Sequence, residues 1–182
     1  MRIGEHGFGD HLRLLAPLFG LIAAVWALRW IADIASAPPA LVRGMSVSVA
    51  GAVSVLVAVI LIHFKRFGGY ASVVVSAFLL VLWEEILIVL AIVLTMASGK
   101  ENIYSIPEFS FFSATHLHHI AAHLTYGLGF EGITAAAMGC ALLWVLRLLV
   151  PPAPLRSPSG RHIIQHDSSA GITIRTDPPK NP

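Results

Sequence analysis

The 182-residue chain is 56% hydrophobic and only 12% charged, with a formal net charge of +2 and a mean hydropathy of +0.77. Soluble domains carry roughly 25% charged residues, so an ordinary water-solvated fold is excluded and a chain solvated by lipid is implied. No basic patch with interleaved aromatics is present, which excludes nucleic acid as a partner, and the single cysteine, Cys140, excludes an intramolecular disulfide.

Four runs meet the length of about 20 mostly apolar residues that a membrane helix needs. The expected spans cover about 12–35, 45–64, 70–97 and 130–150. Each must be helical, because a lipid-exposed strand or loop leaves backbone groups unpaired. Pro38-Pro39 ends the first run, Lys65-Arg66 and Gly68-Gly69 form a turn after the second, and Pro151-Pro152 stops the fourth. The expected fold is therefore an all-α bundle of four transmembrane helices over residues 1–154. A polar, disordered tail is expected over 155–182, with a short strand at Ile172–Ile174. Arg2, Arg13 and Ala35-Ser36-Ala37 resemble a secretory signal with its cleavage site. The length of the first run, the presence of Arg29 and Asp33 near its end, and Pro38 just after the site favour retention as a span.

Cation placement orients the bundle. Arg2 and Arg13, Lys65 and Arg66, and Arg147, Arg156 and Arg161 fall on one side if both termini are cytoplasmic, as expected for a multi-pass protein of the cell (inner) membrane. Small residues at helical spacing suggest close helix contacts: Ser46, Ala50, Ser54 and Ala58 in the second span, and Gly132, Ala136, Gly139 and Cys140 in the fourth.

In the third span two acids, Glu84 and Glu85, lie midway. An ionised side chain at that depth costs about 2.5–3.5 kcal/mol on insertion scales, so it needs a partner or a proton. Successive helical residues point about 100° apart. Glu84 shares a stripe with Ser72, Ser76, Thr95 and Ser98 and is expected to face the bundle interior, with Glu85 at a neighbouring helix contact. Three readings fit: protonated carboxyls bonded to a neighbouring helix, a charge pair with Arg29 of the first span, or a proton or cation site on a transport path. Arg29 has a competing partner in Asp33, one helical turn away.

The second polar feature precedes the fourth span, where His116, His118, His119 and His123 fall within eight residues. On a helix, His116, His119 and His123 occupy an arc of about 60°. The segment over 112–126 reads either as an amphipathic helix at the outer surface or as a polar extension of the fourth span. Imidazoles one turn apart can share a divalent transition metal, so His119 with His123, or His116 with His119, form a candidate metal site completed by Glu101, Glu108 or Glu131. Haem is disfavoured because His63 lies at the opposite end of its span. No phosphate loop, nucleophile elbow or other cofactor motif is present, so no catalytic residue is assigned and an enzyme is not the favoured class.

These features predict a small structural or accessory membrane component, alone or within a larger complex. The alternatives are a proton- or cation-handling protein built on Glu84 and Glu85, which four spans would support best as a homo-oligomer, and a metal-binding membrane protein using the histidines.

Overall fold

The structure, a computed structural model, describes residues 2–3, 6–105 and 115–150. The tail expected over 155–182, its strand and Glu108 lie outside the described residues. The chain is mostly helical, and four of its helical runs are long and apolar enough to cross a membrane: Phe8–Ile34, Pro39–Phe64, Tyr70–Ser98 and His116–Leu149.

A two-residue antiparallel pairing opens the chain, β1 (Arg2–Ile3) against β2 (His6–Gly7). Such a short ladder has no apolar period to betray it, and an all-α expectation misses it. Helix α1 (Phe8–Ile34) follows directly. Asp10 caps its start by accepting from the Gly7 amide at 2.9 Å, placing an acid where the helix dipole favours one. His11 is fully buried and its Nδ1–H donates to the Gly7 carbonyl at 3.1 Å. The ring of Phe67 stacks on His6 at 3.9 Å and meets His11 edge-on at 4.9 Å. The start of α1 is thereby seated on the turn after the second run.

That second run is divided. Pro38 and Pro39 start a short helix, α2 (Pro39–Gly44), and Ser46 then caps α3 (Val47–Phe64) by accepting from the Val49 amide. The buried face of α3 is Val47, Gly51, Ser54, Val55, Ala58, Val59 and Ile62. It is thus turned by about one residue from the small stripe expected at Ser46, Ala50, Ser54 and Ala58, with Ser46 and Ala50 half-buried. The rotation follows from Glu84 of the next helix, which occupies the space beside Gly51.

Helix α4 (Tyr70–Ser98) is the centre of the bundle and packs against α1, α3 and the last helical run. It ends at Gly99, whose φ of +68° is the left-handed conformation that closes a helix cheaply only with glycine. Residues 102–105 then fasten the opposite end of the bundle. The Asn102 Nδ2 donates to the Ala91 carbonyl at 3.0 Å and to Thr95 Oγ1 at 2.6 Å, while its Oδ1 accepts from the Tyr104 amide. The Ile103 amide donates to Asp33 and the Tyr104 hydroxyl to the Trp26 carbonyl. Burial pushes the Tyr104 phenol well above its ordinary pKa, so it stays a donor. Asn102→Ala removes three hydrogen bonds at once and leaves the Tyr104 amide without its acceptor, an unmet buried donor costing about 1–3 kcal/mol. A loss of several degrees in the detergent melting temperature is expected, and an unchanged melting curve would contradict this account.

The last run is continuous, so of the two sequence readings of its entry the structure adopts the extension of the fourth span. It comprises α5 (His116–Ala122), a nine-residue π-helix (His123–Glu131) and α6 (Gly132–Leu149). Thr115 caps α5, accepting from the His118 amide, and its hydroxyl also meets His118 Nδ1 at 2.7 Å. On α6 the small residues Gly132, Ala136 and Gly139 are buried as a contact face: a Cβ at Gly132 would meet the Phe78 ring at 2.7 Å, and one at Gly139 would meet Val73 at 2.8 Å. The guanidinium of Arg147 lies 4.8 Å over the Tyr70 ring, bringing the end of α6 to the start of α4.

Candidate functional site

A 29-residue helix carries Glu84 and Glu85 at its middle, and both are essentially fully buried, at 2% and 1% exposure. Burying a carboxylate is costly unless other groups meet it. The two acids solve this in different directions, as adjacent helical residues must. Glu84 points at α3, where its carboxyl lies against Gly51 and takes a hydrogen bond from the Ser48 side chain one turn away. Its other oxygen, Oε1, has no hydrogen-bond partner among the described residues.

Glu85 points at the π-helix. Its Oε2 receives a hydrogen bond from His123 Nδ1 at 2.8 Å, and its carboxyl lies against Gly127, one helical turn further along. A side chain larger than hydrogen at Gly127 would occupy that carboxyl's position. The far nitrogen of His123, Nε2, faces His119 Nε2 at 3.1 Å, the two rings tilted by 36° with centroids 4.9 Å apart. One neutral tautomer set satisfies the whole line: His123 donates from Nδ1 to Glu85 and accepts at Nε2 from the Nε2–H of His119. Three titratable groups thus form an unbroken hydrogen-bonded row starting at the centre of α4. His123 is only one-quarter exposed.

The π-helix begins at His123. Wider i→i+5 turns are rare and occur mostly as single-turn insertions at functional sites; here nine residues adopt the form. The wider turn carries His123 and Gly127 on the face toward Glu85. Glu131, at the end of the same segment, is near enough to act electrostatically on both acids.

The residues singled out by sequence are therefore only partly assembled. Glu84 and Glu85 face α3 and the last helical run. His119 and His123 meet each other, and His123 meets Glu85 at the middle of α4, well below the helix end where the amphipathic reading would put it. His116 is half-buried and has no part in the described contacts of the pair. Arg29 lies with its guanidinium 5.1 Å over the Tyr104 ring. Among the described residues no group of three or more His, Cys, Asp or Glu side chains converges to hold a metal ion. Sequence reasoning missed Gly51, Gly127 and Ser48; the available signal was a small residue placed level with a mid-helix acid once the helices are folded back antiparallel.

Beyond the acids, the half of the bundle leading toward residues 65–69 contains three buried serines, Ser54, Ser72 and Ser76. The hydroxyls of Ser54 and Ser76 have no hydrogen-bond partner among the described residues, a condition that buried polar groups commonly relieve with water. Comparison with protein-family models, curated proteins and solved structures finds no match to this chain.

Proposed function

We propose that the chain inserts into the cell membrane through its four long helices and that it binds and passes protons along Glu85, His123 and His119. Lys65, Arg66 and Arg147 lie at one end of the bundle, and the excess of cations there supports a cytoplasmic position for that end. Ionisable groups deep in a membrane helix are expensive, and they mark proton relays in pumps and transporters. The single observation carrying the reading is the row Glu85 Oε2–His123–His119 with contacts of 2.8 and 3.1 Å. Each link lets a proton move across one hydrogen bond while the next imidazole accepts from the other side.

On the cytoplasmic side of the acids, Glu84 is followed by Ser54, Ser76 and Ser72, whose hydroxyls give water-borne protons a polar route through an otherwise apolar core. In the accessory-component reading the same contacts serve only to hold α4 to the last helix. The two separate in one measurement. Proteoliposomes containing the purified chain and an internal pH dye, driven by a potassium diffusion potential, are expected to acidify faster than empty vesicles. Glu85→Gln is expected to cut that rate at least tenfold while the protein remains folded. Wild-type vesicles no faster than empty ones would sink the relay.

A further inference from the structure

The two Nε2 atoms of His119 and His123 face each other at 3.1 Å with rings tilted rather than stacked. Two imidazole nitrogens bound about 2.0–2.1 Å from one tetrahedral zinc stand roughly 3.3–3.4 Å apart, so an opening of a few tenths of an ångström would admit an ion between them. Metal-bound histidines almost always donate their other ring N–H to a carboxylate, a backbone carbonyl or water, which fixes the tautomer and raises the basicity of the ligating nitrogen. His123 already does this, through Nδ1 to Glu85 at 2.8 Å. Glu84 and Glu131 lie near the same ring, and His123 is one-quarter exposed.

We propose that His119 and His123 form a two-histidine site for a divalent transition metal of the zinc, nickel and copper class, with water completing the coordination, and that the ion closes the relay. A metal bound by both Nε2 atoms takes His119 in its Nδ1–H tautomer, the Nε2 proton passing to Nδ1 by way of water, so the lone pair on His123 Nε2 holds the proton shared with His119 or a metal ion, and not both. Metal occupancy therefore removes the link between the imidazoles. Glu85 stays outside the coordination shell as the positioning group behind His123. Binding stands on the imidazole geometry alone, whereas closure rests on the proton-relay reading above.

The test uses the full chain, purified in mild detergent and stripped with a chelator. Titration with ZnCl2 is expected to give about one ion per chain, and Co2+ is expected to give a visible ligand-field spectrum of nitrogen ligation. Affinity should fall at least tenfold in His119→Ala and by about 10–100-fold in Glu85→Gln, the range for losing a supporting carboxylate, while His118→Ala leaves it unchanged. Stoichiometry and nitrogen ligation are read on the wild-type protein, so that arm of the test does not depend on a variant folding. No stoichiometric ion, or a cobalt spectrum unchanged by His119→Ala, would overturn the site. Proton flux that persists at saturating Zn2+ would overturn closure. Metal binding in vesicles that never conduct protons also overturns closure, and it retires the relay while leaving the site in place.

Discussion

Gly127→Val is expected to abolish proton flux and to lower stability, although glycine within a helix is normally a weakness. In an open helical position alanine is favoured over glycine by roughly 0.5–1 kcal/mol. Gly20 of α1 is such a position, with nothing within 4 Å of an added Cβ, and Gly20→Ala should be neutral or mildly stabilising. At Gly127 the added atom falls on the Glu85 carboxyl. The acid is the end of a flexible side chain and can turn aside, but it must then leave His123 and enter a packed apolar core. Overpacking and a lost charged hydrogen bond each cost about 1–3 kcal/mol. Together they exceed the helix-propensity gain. The expected result is a flux as low as that of Glu85→Gln and a clearly reduced melting temperature in detergent. A Gly127→Val protein as active and stable as the wild type would show that the close approach of Glu85 has no consequence.

The second large effect concerns the pair itself. His123→Ala strips Glu85 of the donor that meets its Oε2, leaving a 1%-exposed acid facing a void. Leaving a buried acceptor without its donor typically costs about 1–3 kcal/mol, and the cavity left by the ring adds to that. Glu85→Gln alone should cost less, because the amide keeps the volume and can still accept from Nδ1. In the double variant no buried carboxyl is left without its donor, so the total loss is expected to be smaller than the sum of the single losses by about 0.5–3 kcal/mol. Reversible unfolding in bicelles measures all four proteins. Strict additivity would mean that the two side chains do not act on each other.

The four helical runs were legible because apolar length is a local property that survives without neighbours. So were the mid-helix position of the acids and the small face of α6, where Gly132, Ala136 and Gly139 follow the helical period. The entry to the last run was not. His116, His119, His123 and Thr125 dilute its apolarity, and Gly127 and Gly129 read as a bend. The helix continues there because Glu85, 38 residues earlier in the chain, supplies the polar partner that His123 needs. Gly51 was hidden for a related reason. Its lack of a side chain has meaning only beside Glu84, and which glycine meets which acid is decided by how far one helix slides along another. The place of Arg29 was not legible either: its guanidinium lies over Tyr104, a residue whose position depends on the Asn102 and Asp33 contacts.

Synthesis order adds a consequence to the fastening of α1. Helix α1 hydrogen-bonds residues made well after it: Trp83 through the Phe19 carbonyl, Ile103 through Asp33, and Tyr104 through the Trp26 carbonyl, across 64, 70 and 78 residues of chain. None of these partners exists while the early helices emerge, and chains elongate at only about 5–20 residues per second. For several seconds α1 is made but not locked. Helix α1 is therefore made before the contacts that fasten it, and it is secured only once Tyr104 has been made.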